Sequence, residues 1–140
     1  MEHTFTLSLD DHQAGAESST VLKFVALPAG CAVRADGPFF LECEQRAETL
    51  LEAVGQVVGA VRASDGLFLN DLGVEKLEEW SADGLNGFGA ETVAQLLLLA
   101  VYRAELLGYT ADDLVRFIRS VTSAPSGTES KGHQSRGSRS

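Results

Sequence analysis

A chain of 140 residues, 44% of them hydrophobic, is long enough to bury one core without the help of metals or disulfides. Its net charge is −9. The last nineteen residues set Glu129 against Lys131, Arg136 and Arg139, so the first 121 residues carry −11. A body that negative repels phosphate backbones and acidic membrane surfaces, which excludes a broad nucleic-acid footprint and leaves a local basic face as the one route to DNA.

The opening residues, MEHTFTLSLDD, are charged and alternating, with no basic region, long apolar run or cleavage site. A cytoplasmic protein with reduced thiols is expected. Three lysines and a single isoleucine (Ile118) among many Ala, Gly, Leu and Val suggest a GC-rich bacterial genome.

His3 to Asp10 alternates Phe5, Leu7 and Leu9 with Thr4, Thr6 and Ser8, the pattern of a half-buried strand. A polar loop follows. From Thr20, VLKFVALPA reads as a strand or short apolar segment that stops near Pro28 and Gly30. Cys31–Ala35 and Phe39–Cys43 flank Asp36-Gly37-Pro38, a turn signal that predicts a hairpin. Whether Cys31 then faces Cys43 depends on a loop length that the residues leave open.

Between Glu44 and Ala63 the set Ala47, Leu50, Leu51, Val54, Val57, Val58 and Val61 has helical spacing, so a helix is expected to lie on the sheet. Gly55 and Gly59 within it suggest a tight crossing by another backbone. Leu67-Phe68-Leu69 is expected to add a last strand. Leu72 to Ser81 reads as an acidic helix with Val74, Leu77 and Trp80 on one stripe.

The glycine-rich ADGLNGFG then leads into Ala90–Leu107, about 27 Å of helix apolar on nearly every side. Such a rod should be covered all round and form the centre of the core. Thr110 and Asp113 form a capping pair for a final helix with the seam Leu114, Phe117, Ile118 and Val121. Residues 122–140 have almost nothing to bury and read as a disordered tail. The fold class that results is α+β: a small antiparallel N-terminal sheet of three to four strands packed by an amphipathic helix, then a helical C-terminal part, with residues 1–121 as one domain.

No catalytic, cofactor or metal site stands out. Cys31 and Cys43 lack a C-x-x-C pattern and a basic helix terminus that favours a thiolate, so buried apolar cysteines account for them better than a redox, metal or nucleophile site with His3 or His12. His12 beside Asp10 and Asp11 lacks a nucleophile and reads as a solvated turn. His133 lies in the tail. The 84–89 glycines match neither phosphate-loop pattern, and Glu91 occupies the anion's place. Asp71, Glu75, Glu78, Glu79 and Asp83 form no calcium loop and read as a solvated face that suits, at most, a basic partner.

Trp80, Phe88 and Tyr109 sit at loop boundaries and are expected to close the core ends or to anchor contacts. Arg103 and Gln95 on the apolar rod need an outlet or a partner. Arg116 and Arg119 give the final helix a small basic face. Trp80, Phe88, Arg103, Tyr109, Arg116 and Arg119 are therefore the candidate partner contacts. The leading expectation is a cytoplasmic bacterial regulatory or accessory protein that binds another protein, its own copy included, as a homodimer. The alternatives are a DNA-associated regulator using the C-terminal helices and basic tail, and a small enzyme whose site the sequence does not reveal.

Overall fold

The computed structural model describes residues 1–10, 12–13, 27–34 and 40–123. The expected strand around 20–26, the turn at 36–38 and the expected tail beyond 123 lie outside the described residues. Three strands form one antiparallel sheet: β1 (Glu2–Leu7), β2 (Cys31–Val33) and β3 (Leu41–Arg46), in the order β1-β3-β2. Three helices follow, α1 (Leu50–Asp65), α2 (Phe88–Leu107) and α3 (Ala111–Thr122). The architecture is α+β. The chain divides into two compact units, one ending at Arg103 and one beginning at Ala104, so the boundary falls inside α2.

In the first unit the alternation of β1 places His3, Phe5 and Leu7 inward, and pairing of Phe5 with Cys43 and Leu7 with Leu41 continues the apolar face onto β3. Cys31 stands opposite Cys43, which settles the hairpin register. α1 covers this face with Leu50, Ala53, Val54, Val57, Val58 and Val61, all buried. Burial of each leucine and valine among them is worth about 1.5–3 kcal/mol, which makes this sheet-on-helix layer the main source of stability.

α1 starts later than the periodicity suggests. Residues 44–46 are strand, because their pairing with β1 outweighs a helical pattern that begins only weakly there. The helix opens at Thr49, whose hydroxyl accepts the Glu52 N–H at 3.1 Å, and closes at Gly66 in the left-handed conformation (φ +72°). Gly55 and Gly59 meet no other backbone: a Cβ built on either has nothing within 4 Å. The expected tight crossing is absent.

Leu67–Leu69 adds no fourth strand. Phe68, Leu69 and Asn70 are buried, but their backbone groups are spent on side chains: the Phe68 carbonyl accepts from Gln13 Nε2 (2.9 Å) and the Asn70 carbonyl from Gln95 Nε2 (2.9 Å). Among the described residues one isolated bridge, Ser8 to Asp71, is the sheet pairing that this segment makes. The acidic helix at 72–81 does not form either. Gly73 is left-handed (φ +83°) with its N–H held by Asp71 Oδ1 at 2.8 Å, and the Leu72 N–H is taken by Gln95 Oε1 at 2.6 Å. Glu75, Glu78 and Glu79 would repel one another at helical spacing, and Trp80 is 64% exposed, so no burial offsets that repulsion.

α2 is not covered on all sides. Ala90, Ala94 and Gln95 are buried and Leu98, Val101 and Tyr102 are half-buried, whereas Val93, Leu96 and Leu97 are exposed. One stripe of the helix packs on the core and the rest of its apolar surface faces outward. Thr122, expected in the tail, ends α3, and Ser123 caps it through its N–H to the Arg119 carbonyl.

Candidate functional site

Among the described residues two apolar surfaces stand open. The first is a cleft of about 370 Å³ between α1 and α2, within the first unit. α1 contributes Leu51, Val54, Gly55, Val58, Gly59 and Arg62, which share a single face at three- and four-residue spacing. Phe68 and, from α2, Ala94, Leu97, Leu98 and Val101 complete it. The missing side chains at Gly55 and Gly59 open the α1 wall, and the Arg62 guanidinium lies 4.3 Å over the Phe68 ring at one end.

The ends of the cleft are distinguishable. The Leu50 N–H donates to Asn86 Oδ1 at 2.9 Å, which joins the start of α1 to the residues just before α2. At the other end Phe68, just past α1, meets Tyr102 edge to face with centroids 5.8 Å apart. The two helices therefore run in the same general direction. Glu48, Glu52 and Glu91 lie at the end where both helices begin, and Arg62 and Asp65 lie at the end where α1 finishes.

The second surface is on α3. Both halves of its capping box are made, Asp113 N–H to Thr110 Oγ1 at 3.2 Å and Thr110 N–H to Asp113 Oδ2 at 2.9 Å. None of its residues is buried: Leu114 is half-buried, and Phe117, Ile118 and Val121 are exposed. This is a formed amphipathic helix with its apolar stripe facing outward.

Around these surfaces Trp80, Phe88 and Tyr109 are exposed and do not close the core. Arg103 is exposed on the side of α2 that points away from the cleft stripe. Arg116 pairs with Asp113 at 2.5 Å, and Arg119 is exposed. Of the six candidate contacts, Trp80, Phe88 and Arg103 belong to the first unit, and Tyr109, Arg116 and Arg119 to the second. Sequence reasoning passed over the cleft itself, although the Gly55-x-x-x-Gly59 spacing was its visible trace.

The remaining polar groups are structural in their geometry. His3 Nε2 bonds the Ala47 carbonyl at 3.1 Å. His12 Nδ1 and the Tyr102 hydroxyl are 2.6 Å apart. Burial first and the Asp10 charge second push the Tyr102 pKa up, so the phenol keeps its proton at neutral pH. His12 is exposed, as a solvated position should be, and this contact ties it to α2. Burial raises both cysteine pKa values, with Cys31 adding to the effect on Cys43, and both thiols stay protonated at neutral pH.

Asp83 fills the helix start that the glycine-rich segment offers to an anion. Its carboxylate accepts the Gly89 and Phe88 N–H groups, each at 3.0 Å, and those bonds hold its pKa below the ordinary aspartate range. Among the described residues no helix is long and apolar enough to cross a membrane, and no three His, Cys, Asp or Glu side chains cluster as a metal would require. Comparison of the chain with protein-family models, curated proteins and solved structures gives no match.

Proposed function

We propose that the chain is a small regulatory or accessory protein that acts by binding protein. The observation that carries this reading is α3: a helix capped at both ends whose apolar stripe, Phe117, Ile118 and Val121, lies open to solvent. Large apolar side chains grouped on one preformed face are the usual donor in helix-in-groove recognition, because the helix has already lost its conformational entropy before it docks. The Ala-, Gly-, Leu- and Val-rich composition supports a bacterial origin, and a cytoplasmic setting belongs to the same reading.

Affinity capture from the native host tests the reading, with the intact chain and a Phe117→Ser, Val121→Ser variant as baits. Proteins, the chain's own untagged copies included, should be retained by the first and lost from the second. Equal retention by both baits would overturn the role of α3. A nuclease-treated arm separates protein from nucleic acid, since retention that disappears on nuclease treatment would favour a DNA-associated regulator instead.

A further inference from the structure

We infer that the cleft between α1 and α2 is the receptor for α3 of a second copy, laid antiparallel to α1, so that two chains exchange their last helices. This rests on the protein-binding reading above and names its partner.

The dimensions agree. The twelve residues of α3 span about 18 Å, and the α1 wall from Leu51 to Arg62 spans about 16 Å. Among the described residues nothing lies within 4 Å of a Cβ built on Gly55 or Gly59, yet glycine in a helix interior is less favourable than alanine. A helix seated in the cleft uses that space, since small residues let two helix axes approach closely. Leu51 and Leu97 on the lips and Phe117 and Val121 on α3 are all exposed in the single chain. Docking covers both sets together.

Charge selects the direction. α3 carries Asp112 and Asp113 in its first turn and Arg119 in its last. Antiparallel to α1, its acidic start meets the charge-balanced end of Arg62 and Asp65, and Arg119 meets the end held by Glu48, Glu52 and Glu91. The helix dipoles of α1 and α3 are opposed in the same arrangement, which is favourable. The parallel direction sets Asp112 and Asp113 beside three glutamates. Each chain carries one donor helix and one receptor cleft, and a two-fold dimer satisfies both without leaving a surface for further growth.

Light scattering on the purified full chain over a range of concentrations tests the inference, with Gly59→Leu blocking the receptor and Phe117→Ser disabling the donor. The intact chain should reach twice the 14.9 kDa mass of one chain, and each variant alone should remain at the single-chain mass. Leucine is a better helix former than glycine, so Gly59→Leu should keep or raise the melting temperature while it abolishes the dimer. An equimolar mixture of the two variants should recover dimer, because one intact cleft meets one intact helix. An intact chain that stays monomeric, or a dimer indifferent to either substitution, would overturn the inference. Should the purified chain be monomeric while capture from the host still depends on Phe117, the exchange is wrong and the protein-binding reading stands; loss of both removes both.

Discussion

Gln95 is 2% exposed and holds Asn70 from below: its Nε2 donates to the Asn70 carbonyl at 2.9 Å while its Oε1 takes the N–H of Leu72 at 2.6 Å. The Asn70 side chain extends the clasp, since its Oδ1 accepts from the Asp10 N–H at 3.1 Å and from Gln13 Nε2 at 3.0 Å. One amide on α2 thus fixes the 70–72 segment, and that segment fixes the end of β1. The arrangement explains why a polar residue sits on the packed stripe of an apolar helix, for a buried backbone group left without a partner is costly.

Gln95→Met keeps the side-chain volume and removes both bonds. The buried Asn70 carbonyl then loses its partner at about 1–3 kcal/mol and the part-buried Leu72 N–H loses its partner at less, so the urea midpoint should fall with little change in slope. Amide exchange at Leu72 should quicken at the same time. A loss below about 0.5 kcal/mol would show that the clasp contributes nothing beyond what surface substitutions do.

Asp83 makes the stability of the first unit sensitive to acid. Its folded pKa lies below the unfolded value because the Gly89 and Phe88 N–H groups favour the carboxylate. The contribution is therefore complete above the ordinary aspartate value of about 3.9 and is lost as pH falls through the lower folded value. Asp113 on α3 shifts in the same direction through Thr110. Asp83→Asn should lower the melting temperature at neutral pH and flatten its acid dependence, as read by thermal scans between neutral and acidic pH. Parallel wild-type and variant curves would contradict the capping role.

The elements that local pattern alone determines were readable from the residues. The alternation at Phe5 and Leu7, the 3–4 spacing from Leu50 to Val61 and the Thr110–Asp113 box each dictate a structure without reference to anything distant. The failures have a common cause. Whether Leu72–Ser81 folds as a helix depends on Gln95 taking the Leu72 N–H and on Trp80 finding no surface to cover, and neither is encoded within the segment. Likewise an apolar run such as Leu96–Leu99 predicts burial but not by what, so the open side of α2 and the cleft over Gly55 and Gly59 became visible only once the helices were placed together.

Gly30 is a point where a single methyl group should be felt. Its backbone is left-handed (φ +84°), its carbonyl accepts the Glu44 N–H at 2.9 Å, and a Cβ there would run into the Glu44 carbonyl oxygen. Gly30→Ala combines the left-handed penalty of about 1–2 kcal/mol with a backbone clash, so a loss of more than about 2 kcal/mol is expected, localised to β2. Hydrogen exchange should show Glu44 and Arg34 deprotected before β1. Unaltered protection at those amides would mean that β2 tolerates the shift.

Cys31 and Cys43 face each other at a particular kind of site. Glu44 donates to Gly30 and Arg34 donates to Phe40, which makes 30/44 and 34/40 hydrogen-bonded pairs of the β2–β3 ladder and leaves Cys31/Cys43 as a non-hydrogen-bonded pair. Cα atoms at such positions are about 4.5 Å apart, inside the range that a disulfide bridges. Both thiols are held protonated by burial, so the pair should persist reduced in air at neutral pH. A two-electron azo oxidant such as diamide, applied at alkaline pH, should remove two titratable thiols per chain, with each sulfur losing its proton and the oxidant taking up both protons and both electrons. Closing the loop between the two positions should stabilise the fold by about 3 kcal/mol, measured as a higher urea midpoint that a reductant reverses. If mass spectrometry finds mixed adducts on Cys31 and no 31–43 bridge, the two sulfurs do not meet as the register requires.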